Sequence, residues 1–102
     1  MGRAPQLDEV IALLKQHESF FREKGITHLA VFGSVARGDA SEHSDIDLVI
    51  EVDETKKFSL LDLIGLEFDV TDRMGKKVDV LTWGSFGPRT EARVRKDAVH
   101  VF

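Results

Sequence analysis

The segment Asp45-Ile-Asp-Leu-Val-Ile-Glu-Val52 constrains the fold more than any other part of this chain. Alternation sustained over eight residues fits a half-buried β-strand and not a helix. Ile46, Leu48, Ile50 and Val52 fall on one face, with Asp45, Asp47, Val49 and Glu51 on the other. Asp is depleted in strands, so two aspartates on one face, their Cα atoms about 7 Å apart, need a reason. Two reasons stand open at this point. Either that face meets water, as in a sheet covered on one side, or the pair offers hard oxygen ligands to Mg²⁺.

The flanking sequence alternates helical and strand periods, the pattern of an α/β domain. A helix is expected from about Asp8 to Lys24, with Val10, Leu14, His17 and Phe21 along one face and Gly25 as its stop. Thr27–Phe32 reads as a short strand ending at Gly33-Ser34. Ser59-Leu-Leu-Asp62 is a capping box, with Phe58 and Leu63 placed as a hydrophobic staple, and its helix runs to about Asp72 before Met74-Gly75. Lys77–Thr82 is a third strand with Asp79 between Val78 and Val80. Gly87-Pro88 opens a last helix ending near Asp97, and Val99–Phe102 is either an edge strand or a packed tail. No repeat, low-complexity run or linker divides the 102 residues, so a single domain over 1–102 is expected, with residues 1–6 as a frayed lead-in.

Composition excludes several classes. The formal net charge of −4 argues against a protein that binds nucleic acid non-specifically. No apolar run reaches membrane-spanning length, and Gln6 spoils an N-myristoylation pattern, so no membrane association is expected. With no Cys there is no disulfide framework, thiolate metal site or cysteine nucleophile, and a cytoplasmic location is expected.

Three features converge on one chemistry. Gly33-Ser34 directly follows a strand, where glycine lets a ligand approach the backbone and the next N–H groups can hold phosphate oxygens. Taken alone, glycine-serine after a strand is most often just a turn. Asp45-x-Asp47 follows after ten residues. If the third strand pairs beside the second, Asp79 shares their face, and three carboxylates there repel unless cations neutralise them. Two Mg²⁺ ions would bring +4 against −3, an arrangement suited to in-line attack on a phosphoryl group.

Gly33-Ser34, the ten-residue spacer, Asp45-x-Asp47 and Asp79 in an apolar strand together resemble the signature of the polymerase-β-type nucleotidyltransferase superfamily. The strings Phe32-Gly-Ser-Val-Ala-Arg-Gly-Asp39 and Ser44-Asp-Ile-Asp-Leu-Val49 are similar to its minimal nucleotidyltransferases, the antitoxin members of pairs with HEPN-domain ribonucleases. The resemblance covers nearly the whole chain. It implies an α/β (α+β) fold: a small mixed sheet with helices mainly on one face and the acidic site on the other. It further implies that Gly33 and Ser34 hold the β- and γ-phosphates, that Asp45 and Asp47 bind two Mg²⁺ ions, and that Asp79 ligates the catalytic one and helps deprotonate the acceptor. Arg37 is either a phosphate neutraliser or a surface arginine, and Ser44 either bonds to the site or shapes the turn. The implied reaction moves AMP from ATP to a tyrosine of a HEPN toxin, silencing it. This chain has no Tyr, so it cannot label itself there. Alternatives are an antitoxin that neutralises by binding alone, and a small-molecule transferase of the aminoglycoside type. The latter normally carries an added helical acceptor domain, and at this length a separate protein acceptor is expected instead.

Other conspicuous residues carry plainer readings. No two of His17, His28, His43 and His100 have metal-ligand spacing; His43 lies in the spacer within reach of a nucleotide. Glu51 lies two pleats beyond Asp47 and reads as solvent-facing. Trp83 and Phe86 read as aromatics sealing the domain beneath a helix, with base stacking or partner docking as the alternative. Arg89, Arg93 and Lys96 form one helical stripe, a solvated face or a docking edge for an acidic surface.

Overall fold

The computed structural model describes residues 3–102. Its elements are α1 (Leu7–Gln16), α2 (Glu18–Glu23), β1 (Ile26–Phe32), α3 (Gly33–Arg37), β2 (Ile46–Val52), α4 (Leu60–Met74), β3 (Val78–Thr82), a 3₁₀ turn (Trp83–Ser85), α5 (Pro88–Asp97) and β4 (Val99–His100). The strands form one mixed sheet in the order β3-β2-β1-β4. β1 is antiparallel to both β2 and β4, while β2 and β3 run parallel through the α4 crossover. Residues 1 and 2 of the expected lead-in lie outside the described residues. Arg3 to Gln6 is non-helical, and the Gln6 carbonyl accepts from Val10 N–H in the first turn of α1.

The alternation read in β2 holds. Ile46, Leu48 and Ile50 join Leu29 and Val31 of β1 and Val78 and Val80 of β3 in the main core. Val10, Leu14, Phe21, Leu66 and Val70 cover that face from α1, α2 and α4. The opposite face carries Asp47, Val49 and Glu51 of β2 with their in-register partners Phe32, Ala30 and His28 of β1. The helix α5 belongs to this second side, where Arg95 lies over the Trp83 ring at 4.2 Å. Trp83 packs edge-on against Phe86, and Phe86 edge-on against Phe32.

The single helix expected over 8–24 is two. At His17 the N–H bonds back three residues to Leu14, which tightens the turn and separates α1 from α2. The break lets Phe21 bury against the tail, with its ring 6.1 Å from Phe102. His17, expected on the apolar stripe, sits half-buried at the joint with Nδ1 3.4 Å from Arg73. Gly33-Ser34 opens a five-residue helix where a turn was expected. The open question at the C-terminus resolves as β4, which pairs with Ala30 and Val31.

The capping box of α4 forms as read. Ser59 Oγ accepts from Asp62 N–H at 3.2 Å, and Asp62 Oδ2 accepts from Ser59 N–H at 2.8 Å. The helix extends past Asp72 to Met74 before Gly75 closes it. Its inner side also finishes the outer edge of β3. Val78 N–H donates to Thr71 Oγ1 and Val80 N–H to Glu67 Oε2, each at 3.1 Å. An edge strand otherwise presents unpaired backbone groups, so these two side chains protect it. Among the described residues, no helix is long and apolar enough to cross a membrane.

Candidate active site

The acids meet where β1 ends and β2 and β3 begin. Register places Phe32 opposite Asp47, so the chain leaves β1 into α3 directly beside Asp47. Gly33 has φ +74, and a Cβ built on it would collide with Asp47 Oδ2 and stand 3.2 Å from Asp47 Cγ. Glycine is required twice over here, for the left-handed backbone and for the room. The two halves of the motif, far apart in sequence, are therefore in contact. The N–H groups in the first turn of a helix have no acceptor within it, and Gly33 and Ser34 open that turn in α3.

On the other side, Asp47 is in register with Asp79 of β3. Asp45 sits just before β2 and projects to the same face. The Asp47 carboxyl is pushed above the usual carboxylate range, first because it is half-buried and then by the charges of Asp79 and Asp45, with Arg37 opposing. Asp45 and Asp79 are joined through Lys77, whose Nζ stands 3.9 Å from Asp45 Oδ2 and 3.8 Å from Asp79 Oδ1. Lys77 was not singled out from the sequence. The available signal was its place two residues before Asp79 on a strand, hence on the same face. Among the described residues, no three acidic or histidine side chains are arranged as a ready-made metal cage. What stands together is a carboxylate cluster with a lysine across two of its members.

Arg37 ends α3 and reaches two carboxylates, Asp39 Oδ2 at 3.2 Å and Asp97 Oδ2 of α5 at 3.4 Å. It thereby ties α3 to α5 while contributing positive potential at Asp47. Ser44 shapes the loop before β2, its Oγ accepting from Ser41 N–H at 2.9 Å. Lys76 Nζ donates to the Glu42 carbonyl at 2.6 Å, pinning the same loop to the lead into β3. His43 is exposed and near Glu42. Glu51 and His28 pair across the far end of the sheet at 3.8 Å, away from the acidic cluster. Arg89, Arg93 and Lys96 are exposed on α5.

A family model described as a nucleotidyltransferase domain matches residues 14–101, from α1 through β4. The chain belongs to the nucleotidyltransferase domain family. It is 39% identical over 93 residues to a chain of Methanocaldococcus jannaschii provisionally named a protein adenylyltransferase, covering 91% of this chain and 90% of that one. It is 33% identical over 96 residues to the protein adenylyltransferase MntA of Thermococcus cleftensis, covering 93% and 95%. A solved structure provisionally described as a minimal nucleotidyltransferase superposes with TM-score 0.78 at 32% identity, over 93% of this chain and 95% of that chain. The fold also matches, with TM-score 0.61 at 15% identity over 94% of this chain and 68% of that one, a structure of a tri-AMPylated HEPN toxin of Shewanella oneidensis in complex with its MNT antitoxin. In this nucleotidyltransferase the fold brings Gly33, Asp45, Asp47 and Asp79 to one corner of the sheet.

Proposed function

We propose that this protein is a Mg²⁺-dependent adenylyltransferase that moves AMP from ATP to a tyrosine hydroxyl of a HEPN-domain toxin and so acts as its antitoxin. One observation carries the reading: the Asp47 carboxylate lies against Gly33 and in register with Asp79, uniting the Gly33-Ser34 turn and a carboxylate cluster. In the transfer, the acceptor oxygen bonds to the α-phosphorus, the bond from that phosphorus to the β-phosphate bridge breaks, and pyrophosphate leaves. The Gly33-Ser34 turn binds and orients the β- and γ-phosphates. Asp79 receives the proton of the attacking hydroxyl, from a strand position that faces solvent enough for an acceptor to reach it. Arg37 adds positive potential next to the phosphates.

The donor set fits Mg²⁺. It consists of carboxylate oxygens alone, the Asp47 carboxyl is held up by its half-burial and then by the charges of Asp79 and Asp45, and the gap between Asp45 and Asp79 already draws the Lys77 ammonium. Asp45, Asp47 and Asp79 would hold the ions, which supply charge neutralisation at the reacting phosphate and acidify the acceptor hydroxyl. The names of the relatives support adenylyl transfer to protein, and the HEPN–MNT complex supports the class of partner.

The test is intact-mass spectrometry of a HEPN-domain protein after incubation with this chain, ATP and Mg²⁺. Adenylyl mass is expected on the partner, lost with EDTA and lost when Asp45 and Asp47 become Ala. Neutralisation of the toxin with no gain in mass would replace this reading with inhibition by binding alone.

A further inference from the structure

The charges of the acidic corner are not all negative. The parallel ladder of β2 and β3 continues one step before β3, where Ile46 N–H donates to the Lys77 carbonyl at 3.0 Å. Lys77 therefore stands beside Asp45 as Asp79 stands beside Asp47, and the four side chains form a square on one face of the sheet. The ammonium is almost equidistant from two of the acids, 3.9 Å from Asp45 Oδ2 and 3.8 Å from Asp79 Oδ1. Lys76 and Arg37 are engaged elsewhere, the first by the Glu42 carbonyl at 2.6 Å and the second by Asp39 and Asp97. Among the described residues, Lys77 is the one basic side chain in ion-pair contact with Asp45 or Asp79.

That position bears directly on a metal ion. Mg²⁺ holds its oxygen ligands at about 2.0–2.1 Å, so an ion shared by Asp45 and Asp79 lies between their oxygens, where the ammonium now stands. An ammonium about 4 Å from a dication is repelled twice as strongly as from a single charge, so ion and ammonium exclude each other. Nothing obstructs the departure of the lysine. Its side chain is 66% exposed, and a flexible four-carbon stem ends in a compact charge. Arg at this point would instead grip carboxylates through a planar fork and leave less readily. Until an ion arrives, the ammonium offsets the repulsion that drives Asp45 and Asp79 apart.

Building on the proposed Mg²⁺ dependence, we propose that Lys77 is the internal counter-ion of the metal-free site, holding Asp45 and Asp79 in place and yielding to the ion that binds between them. It is a positioning residue. The ion affinity of the corner is then set by competition with a cation of the chain's own, at this one contact and not through the total charge of the surface. Metal loading and the release of Lys77 are a single event, which also frees Asp79 to face an acceptor hydroxyl.

The test is Mg²⁺ titration of the nucleotide-free chain, read by calorimetry and by the rise in melting temperature. Lys77→Met tightens Mg²⁺ binding by about threefold or more, the scale of two exposed ion pairs removed. Lys76→Met removes the same unit charge one residue away and leaves the affinity within about twofold. Lys77→Arg keeps it at the wild-type level or weaker. In EDTA, Lys77→Met melts below the wild type, and that difference disappears when Asp45 and Asp79 are both changed to Asn, since the contact is then already gone. Wild-type or weaker Mg²⁺ affinity in Lys77→Met overturns the inference, as does equal tightening in Lys76→Met. Either result leaves the proposed reaction standing where AMP still reaches a HEPN-domain protein. Tighter Mg²⁺ binding in Lys77→Met, in a chain that modifies no HEPN-domain protein, sinks the reaction and leaves the role of Lys77 standing. Mg²⁺ that saturates neither form overturns both.

Discussion

Replacing Asp47 by Asn is expected to stabilise the metal-free protein. Asp47 faces Asp79 across a parallel strand pair, where neighbouring strands lie about 4.8 Å apart, and Asp45 two residues back at about 7 Å. Two unit charges at ~4 Å repel by about 1 kcal/mol in water and about 4 kcal/mol at an effective dielectric near 20. The side chains of Asp45 and Asp79 are 41% and 37% exposed, and Lys77 offsets part of their charge, so the watery end of that range applies. Asn preserves shape and removes one charge, so the net gain is about 1 kcal/mol, equivalent to roughly 4–8 °C in Tm for a domain of this size.

The sign of the pH dependence follows from the raised Asp47 carboxyl. A carboxyl that titrates higher in the folded protein than in the unfolded chain holds its proton longer when folded. Its contribution is therefore most favourable below the ordinary carboxylate pKa, and it is lost as pH rises through the raised folded value. The advantage of Asn should be near zero at the acid end and full at neutral pH. Urea denaturation in EDTA, followed by Trp83 fluorescence at several pH values, measures it. Added Mg²⁺ should stabilise the wild type more than the variant and shrink the gap. A variant less stable than wild type in EDTA at neutral pH would refute the reasoning, as would an advantage that does not change with pH.

Three further outcomes follow from the same geometry. Gly33→Ala should cost about 1–3 kcal/mol from the left-handed backbone, and about 10²-fold in transfer because Asp47 must move aside, read by denaturation and by acceptor mass gain. Lys77→Met should act opposite to Asp47→Asn, lowering metal-free stability by less than about 1 kcal/mol while tightening Mg²⁺ binding in a titration. Ser59→Ala should cost about 1 kcal/mol through loss of the capping box and leave kcat unchanged, since the cap lies at the far end of α4 from Thr71.

The acidic corner was legible because strand parity is unforgiving. Once Ile46, Leu48 and Ile50 are buried, Asp47 has to face the other way, and Val78 and Val80 impose the same on Asp79. The capping box at Ser59 was legible for a similarly local reason. The break at His17 was not, because no Gly or Pro marks it. It arises from a tightened turn that sends Phe21 toward Phe102, a contact between residues far apart in sequence. Lys77 looks like any solvated lysine before a strand until parallel pairing brings Asp45 beside it. Glu67 and Thr71 carry no signal in the sequence for the same reason, since their role exists only once β3 is known to be an edge. β4 is two residues long, too short for any period to show.

The proposed function depends on how the groups of β3 are satisfied on each of its sides. Its inner face is spent on the core through Val78 and Val80, and its outer edge on Thr71 and Glu67 of α4. Asp79 is left as the one side chain of the strand's first half that projects to the acidic face, in register with Asp47. Because α4 answers the backbone of β3 with side chains from its flank, its outermost line is free of any duty within the domain. A helix relieved of that duty would ordinarily be polar there, yet this one places Leu61 and Phe68 at its crest and glycine between them.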